Sequence, residues 1–204
     1  VTGQLAHGAR IPVIKSEQAQ VLTARAYTAP QVALIAAAQT PRHGLATELA
    51  YAAGLRAHEL LTLRRGEGRA ADPRPALASK WQGRNGVIYT VHGKGGLVRE
   101  VLLPHALAER LEAVRLDAPL AITDRGIHYQ SHYDIGGGQR WSNSVSAASE
   151  RALGWSTGAH GLRHSYAQER MAELQASLSR DAALTTVSQE MGHFRPEITE
   201  TYLR

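Results

Sequence analysis

The segment from Gly86 to Pro104 places the strongest constraint on the fold of this chain. Two runs rich in β-branched residues, VIYTVH and LVREVLLP, flank the short turn Gly93-Lys94-Gly95-Gly96. This pattern predicts an antiparallel β-hairpin with Lys94 at its tip or shoulder. Because the rest of the chain shows mainly helical spacing, we expect one small sheet in a mostly helical protein.

The helical spacing begins at Thr28, which we predict to be an N-cap residue with Pro30 in the first turn. A last short helix is predicted to start near Pro196 and to carry Tyr202. Loops are predicted over residues 66–75 and 127–141. The other predicted helices cover residues 43–53, 56–63, 143–154, 161–178 and 184–191, and the stretch from Pro104 onward. The order of these elements predicts an α+β fold, mostly helical with a small antiparallel β-sheet.

Length and composition predict one main domain. A chain of 204 residues with 43% hydrophobic content can bury one substantial core. We place this domain at residues 28–204 and interpret residues 1–27 as an extended arm or linker remnant, because they lack sustained periodicity. We expect that a separate N-terminal domain would not fit before Thr28.

The sequence also carries signals about location. Its longest apolar stretch, Val32–Ala38, is far shorter than the roughly 20 residues that a membrane-spanning helix needs, and the N-terminus lacks a signal-peptide pattern. The chain contains no cysteine, which excludes disulfides, thiolate zinc sites and cysteine nucleophiles. We therefore expect a cytoplasmic protein without a membrane partner.

The charge balance points to a polyanionic partner. The chain carries a formal net charge of +5, with an isoelectric point near 9.8. Nucleic acid is the commonest partner of such a protein. Arg84, Arg99, Arg140 and the loop over residues 127–141 are the candidates for direct DNA contact.

Four stretches contain the side chains that could do chemistry. They are GLRAHELLTL with Arg56, HGKGGLVREVLLP with Lys94, HGLRHSYA with His160 and Arg163, and GHFRPEITETYLR with His193 and Tyr202. In order and spacing they resemble the conserved boxes of the tyrosine recombinase (integrase) catalytic domain. The resemblance covers about residues 28–204, and the nine-residue spacing from His193 to Tyr202 is its most specific part.

The chemistry of these side chains, considered without the resemblance, suits a reaction in which one oxygen replaces another at the phosphorus of a phosphodiester. Arg56 and Arg163 can pair bidentately with a phosphate and keep their charge, and both lie near predicted helix N-termini, which favour anions. Lys94 can give up a proton and recover it, which suits an acid for a leaving oxygen. His160 and His193 can donate to a phosphate or accept a proton from a tyrosine. Tyr202 is the candidate nucleophile.

The resemblance assigns roles to these residues. It implies that Tyr202 forms a 3′-phosphotyrosyl link, that Lys94 protonates the departing 5′ oxygen, and that Arg56 and Arg163 clamp the phosphate. It suggests proton transfer for His160 and phosphate hydrogen bonding for His193, although the sequence does not separate those two duties. Glu59 and His164 are expected to orient their neighbours rather than to react.

The resemblance also implies partners. Site-specific recombination or integration needs double-stranded DNA and several protomers, so a homotetramer on DNA is expected, with accessory DNA-bending proteins as further candidates. Neither a metal ion nor ATP is implied, because the phosphotyrosyl bond conserves the energy of the broken bond. Phage, mobile-element and chromosomal roles are not distinguished.

Three alternatives stay open. A type IB topoisomerase shares the residue set, and a DNA-binding module could keep the fold without the chemistry. His128 and His132 have an i,i+4 spacing that could bind a metal on a helix, but their surroundings predict a loop. Nucleotide hydrolysis is not supported, because no phosphate-binding GxxxxGK[ST] loop is present.

Overall fold

The computed structural model describes residues 24–203. Its seven helices within this range are α1 (Ala29–Ala37), α2 (Pro41–Ala53), α3 (His105–Glu112), α4 (Gly138–Leu153), α5 (Gly161–Gln175), α6 (Arg180–Glu190) and α7 (Pro196–Glu200). Its five strands are β1 (Arg64–Arg65), β2 (Val87–His92), β3 (Val98–Leu103), β4 (Arg115–Asp124) and β5 (Ile127–Tyr133). The predicted α+β class is confirmed.

The predicted hairpin is the centre of a three-stranded antiparallel sheet in the order β1-β2-β3. Strand β2 pairs with β3 in the register Val87↔Leu103 to His92↔Val98, and the turn between them holds Lys94. Tyr89 and Val91 from β2 and Val101 and Leu103 from β3 are buried in the main core. The buried residues of the sheet thus support an exposed turn that contains Lys94.

The start of the domain confirms one local prediction and moves one boundary. Thr28 caps α1, accepting from the Gln31 amide at 3.5 Å, and its own amide donates to the Gln31 side chain at 2.9 Å. Tyr27, which we assigned to the arm, is instead buried, and its amide donates to Ser165 Oγ at 2.8 Å. The compact unit therefore includes Tyr27, and the rest of the predicted arm up to residue 23 lies outside the described residues.

The predicted loop over residues 127–141 is wrong. Residues 127–133 form β5, which pairs with β4 in a separate two-stranded antiparallel sheet, and α4 already begins at Gly138. The prediction failed because the strand is rich in polar residues, with His128, Gln130 and His132 on one side and Ser131 between Tyr129 and Tyr133 on the other.

Two helix predictions are corrected near the functional residues. The predicted helix over residues 56–63 is only a 3₁₀ turn, Glu59–Thr62, and the Arg56 amide before it donates to the Glu59 side chain. Helix α7 ends at Glu200, so Tyr202 lies in the turn after it rather than on the helix.

The C-terminal elements form a second core. Helices α5 and α6 bury Tyr166, Met171, Leu184 and Met191, and the ring of Tyr202 joins this cluster. None of the helices within residues 24–203 is long and apolar enough to cross a membrane. The tail that carries Tyr202 is therefore held against the same domain by apolar packing.

Candidate active site

Arg163 lies at the centre of the site. It is the third residue of α5 and only 1% exposed. Its guanidinium donates to the carbonyl of Gly54, to the carbonyl of Met191 at 3.4 Å and to His193 Nε2 at 3.0 Å. This one side chain therefore joins the end of α2, the end of α6 and the C-terminal segment.

Two glycines allow the backbone to come this close. Gly54 ends α2 in the left-handed conformation with φ 58°, and a Cβ there would stand 2.8 Å from the ring of Tyr166. Gly192 has φ 72°, and a Cβ there would meet the Arg99 side chain at 2.5 Å. Larger residues at either position would displace the carbonyls or the arginines of the site.

Glu59 is the counter-charge of the site. It is fully buried and contacts Arg56 Nη1 at 2.8 Å, Arg99 Nη2 at 2.8 Å and, more distantly, Arg163 Nη1 at 3.9 Å. Burial alone would raise the pKa of Glu59, but the charge and hydrogen bonds of Arg99, followed by the charges of Arg163 and Arg56, hold that pKa well below its usual range. The carboxylate is therefore ionised at neutral pH.

One carboxylate faces three guanidiniums, so this cluster carries a net positive charge. Burial, followed by the charge of Arg56, lowers the pKa of Arg163 to about 10. The Arg163 Nε atom is buried without a hydrogen-bond partner among the described residues. A bound anion would reduce the repulsion between the guanidiniums and would accept a hydrogen bond from Arg163 Nε.

Arg56 is the more accessible of the two predicted phosphate ligands. Its side chain is 21% exposed, and its backbone amide and Nη1 donate to the Glu59 carboxylate at 2.7 and 2.8 Å. These bonds hold the Nη1 end of the guanidinium against Glu59. Its other donors have no partner within residues 24–203 and are free to bind a ligand.

His193 is held in one tautomer. Arg163 can only donate, so the Nε2 atom of His193 must accept, and the proton lies on Nδ1, which donates to Thr199 Oγ1 at 3.1 Å. Burial, followed by the charges of Arg163 and Arg56, lowers the pKa of His193 to about 3. The ring is therefore neutral near pH 7.

Tyr202 lies among the three predicted histidines. Its ring centroid is 5.0 Å from that of His193, 5.1 Å from that of His160 and 4.9 Å from that of His164. The Arg163 guanidinium carbon lies 5.4 Å from the ring centre. The phenol makes no hydrogen bond to any described residue, so it is available to a ligand.

The backbone of Tyr202 is anchored by α5. His164 Nδ1 donates to the Tyr202 carbonyl at 3.2 Å, and Gln168 Nε2 donates to the same oxygen at 3.3 Å. His164 is buried, whereas His160 is exposed at the start of α5. Partial burial of its ring, followed by the charge of Arg163, lowers the pKa of His160 to about 4, although water weakens this effect on an exposed residue.

The structure thus brings together five of the six predicted catalytic residues, which are Arg56, His160, Arg163, His193 and Tyr202. Lys94 lies on the exposed turn between β2 and β3 and makes no hydrogen bond or ion pair with them. Gly93, next to Lys94, lies beside Glu59, with a Cβ there at 3.5 Å from Glu59 Oε1. The base of the turn therefore lies next to the site, and the role of Lys94 stays a prediction.

Two of the three predicted DNA contacts, Arg99 and Arg84, are paired with carboxylates of the same domain. Arg99 is only 4% exposed and donates to Glu59 and to the carbonyl of Glu190, so it belongs to the buried cluster. Arg84 is bound by two hydrogen bonds to Glu173, each 2.8 Å long, and lies over the Tyr166 ring. Arg140 is exposed on α4, and its contact with DNA stays a prediction.

Sequence reasoning also missed two positioning groups, Arg99 and Thr199. A signal for Arg99 was present, because strand alternation places it on the same face as the buried Val101 and Leu103. Thr199 carried no signal of its own, since its pairing with His193 depends on the turn between α6 and α7.

The low pKa of His193 predicts acid sensitivity of the free protein. The unfolded chain binds a proton on this histidine near pH 6.5 and the folded chain only near pH 3, so stability is complete above about pH 6.5 and is lost as the pH falls below it. We expect His193 to account for about 1–2 kcal/mol of the loss between pH 7 and pH 5.

Urea unfolding of the wild type and of His193→Gln at the two pH values measures this contribution. Glutamine can replace both hydrogen bonds without titrating, so the variant should lose less stability on acidification. His105→Gln, at an exposed position of α3, is the control and should behave as the wild type does. Equal losses in the His193 variant and the wild type would contradict the prediction.

Comparison with known proteins finds similarity at the level of structure. No protein-family model matches the sequence, and a search of curated proteins finds none similar. The structure resembles the XerH site-specific recombinase in a post-cleavage complex with palindromic difH substrate, with a TM-score of 0.54 and 18% identity over 88% of this chain. It also resembles the XerA recombinase, with a TM-score of 0.57 and 14% identity over 96% of this chain.

These similarities define the class of fold. In this chain, a mostly helical α+β domain holds a buried arginine cluster beside Tyr202. The chain has the fold of a tyrosine recombinase catalytic domain. It spans 49% of the length of the XerH chain and 64% of the XerA chain.

Proposed function

We propose that this chain cleaves and rejoins DNA strands through a covalent bond to Tyr202, as a tyrosine recombinase. The observation that carries the proposal is the position of the Tyr202 phenol beside Arg163, in a cluster of three arginines with a single carboxylate. A cationic site with an unmet buried donor suits a phosphate, and the adjacent phenol suits attack on it.

In the proposed reaction, the oxygen of Tyr202 attacks the scissile phosphorus and the bond to the 5′ oxygen breaks. The phenol proton passes to a histidine, for which His160 is the candidate, and Lys94 supplies a proton to the departing 5′ oxygen. The products are a 3′-phosphotyrosyl link and a free 5′-hydroxyl, and the reverse step joins a new strand. Arg56 and Arg163 stabilise the charge that builds on the phosphate oxygens.

The structure adds a condition to the role of His193. In the present tautomer its Nε2 atom accepts from Arg163 and has no proton to donate. Hydrogen bonding of His193 to a phosphate therefore requires that Arg163 turn from the histidine to the phosphate and that Nε2 gain a proton. A bound phosphate would favour both changes, because its negative charge attracts the guanidinium and stabilises the imidazolium.

The test is a trapping experiment with nicked suicide duplexes. A pool with randomised sequence around the nick is incubated with the chain, and covalent adducts are recovered after denaturing electrophoresis, sequenced and digested for peptide mapping. We expect a phosphonucleotide on Tyr202, formed in the presence of a chelator and without ATP. Failure to form any adduct at low and at moderate salt, with DNA binding intact, would instead favour a non-catalytic DNA-binding module.

Assembly and location follow as further proposals. Exchange of strands between two duplexes needs several active sites, so we propose a homotetramer on DNA, in a cytoplasmic setting. Accessory DNA-bending proteins and the biological role as phage, mobile-element or chromosomal recombinase remain predictions from the resemblance alone.

A further inference from the structure

A second cationic pocket lies beside the hairpin, on residues that the proposed catalysis does not use. Its volume is about 360 Å³. Its charged and titratable lining residues are Arg64 from β1, Arg69, His92 from β2, and His128, Tyr129 and His132 from β5. No carboxylate from the described part of the chain lines it.

Arg69 is held rigidly at this pocket. Its Nε donates to Thr90 Oγ1 at 2.9 Å, and its Nη2 donates to the carbonyls of Thr62 and Thr90 at 2.6 and 2.7 Å. These partners are neutral, so they fix the guanidinium without neutralising it. Burial, followed by the charge of Arg64, lowers the pKa of Arg69 to about 10. Its Nη1 has no partner within residues 24–203.

Arg64 is the less constrained cation. It is half-buried on β1, and its guanidinium makes no hydrogen bond or ion pair with the described residues. Placing two guanidiniums close together costs free energy, since like charges repel more strongly where water is partly excluded. An anion between them would remove this cost and supply oxygen acceptors to both.

The histidines complete the pocket as hydrogen-bonding groups. His128 and His132 are four residues apart on β5 and therefore lie on one side of that strand. Burial lowers the pKa of His92, and the positive charges of Arg69 and Arg64 lower it further, whereas the negative charge of Asp72 opposes them. Burial also lowers the pKa of His132, and the charges of Arg64, Arg69 and Arg115 act in the same direction. The two guanidiniums would attract an anion and repel a metal ion, and imidazole N–H groups can donate hydrogen bonds to the anion.

We propose that this pocket binds a phosphate group, with Arg64 and Arg69 as its charged ligands and the histidines as hydrogen-bond partners. The pocket adjoins the candidate active site, because the His92 amide donates to Thr62 Oγ1 at 3.0 Å and Thr62 Oγ1 donates to the Glu59 carbonyl at 3.0 Å. A DNA backbone phosphate next to the scissile one, or free phosphate, could supply the ligand. The DNA source rests on the proposed function, whereas phosphate binding itself does not.

The first test uses inorganic phosphate. The ring signals of His92, His128 and His132 are followed by NMR during a phosphate titration near pH 7 and should move together along one saturating curve. Those of the exposed His105 should not follow it. Arg64→Gln should weaken this binding about tenfold, as expected for loss of a charge-assisted hydrogen bond. Thermal unfolding of the variant establishes that it remains folded.

The second test uses a mixed-sequence duplex, because backbone contacts do not depend on sequence. The affinity is measured across a series of salt concentrations for the wild type, for Arg64→Gln and for Arg110→Gln. Arg110, on α3, is an exposed arginine paired with Glu48 and provides the charge-matched control. If the ligand is a DNA phosphate, Arg64→Gln should lower the slope of log affinity against log salt by about one, and the control should not.

The combined outcomes are decisive. A response to inorganic phosphate with an unchanged DNA slope assigns the pocket to free phosphate, and a changed slope assigns it to the DNA backbone. No response of the wild-type histidines to inorganic phosphate, together with an unchanged DNA slope in the folded Arg64→Gln variant, overturns the proposal. Arg64→Gln should still form the Tyr202 adduct at saturating DNA, so failure of the wild type to form any adduct refutes the catalysis without deciding this site.

Discussion

A Tyr202→Phe variant is expected to bind duplex DNA as tightly as the wild-type chain and to form no covalent adduct with it. The phenol makes no hydrogen bond to the described residues, so its removal should cost little stability. Phenylalanine keeps the ring contacts with His193 and His164, and the Tyr202 carbonyl keeps its bonds from α5. Only the phenol oxygen, the proposed nucleophile, is lost, and with it the proposed covalent step.

Tyr51→Phe is the matched control for this experiment. Tyr51 lies on α2 and donates to Glu169, away from the arginine cluster, so its variant should form adducts as the wild type does. Both variants are compared by denaturing electrophoresis on the same suicide duplexes and by filter binding. An adduct that persists in Tyr202→Phe would show that another residue is the nucleophile and would remove the basis of the proposed mechanism.

Replacement of Glu59 by glutamine is expected to lower the free energy of unfolding by about 3–5 kcal/mol, the cost of leaving a buried charge without its partner. Glutamine has nearly the same shape, but it cannot neutralise Arg99, which is 4% exposed, or Arg163, which is 1% exposed. Because the wild-type carboxyl has a depressed pKa, its contribution is present above the unfolded pKa and is lost only as the pH falls toward the lower folded value.

Urea unfolding at pH 7 measures the effect, with Glu67→Gln as the control. The Glu67 side chain is 86% exposed and lies 3.7 Å from Arg65, so its removal should cost less than about 1 kcal/mol. Adding Arg99→Met to Glu59→Gln should restore part of the lost stability, because the unpaired buried charge is then gone. A Glu59 variant as stable as the Glu67 variant would show that the carboxylate does not balance the cluster.

The elements with strong local signals were predicted well. The hairpin of β2 and β3 follows from β-branched residues around a glycine-rich turn, and the cap at Thr28 follows from a threonine placed two residues before Pro30. Strand β5 was missed because its exposed face is polar and its buried face carries Tyr133 and Ser131, which do not form a continuous apolar pattern. The 3₁₀ turn after Arg56 was missed because Leu60 and Leu63 have helical spacing without a helix.

The candidate site shows the same division. Each reactive residue type was found in the sequence, but Arg99 was assigned to the surface, and nothing local indicated that Glu59 would serve three arginines. The tautomer of His193 likewise depends on Arg163 and Thr199, which lie on different elements.

By itself, the sequence determined where the hairpin forms, where the first helix begins and which side chains are chemically able to act on a phosphate. These properties depend on backbone preferences and on residues a few positions apart. Only the tertiary structure decided which charges are buried together, which arginine is structural and which tyrosine faces the cluster. Those outcomes depend on the balance of desolvation and Coulomb attraction between residues far apart in the chain, and this balance exists only after folding.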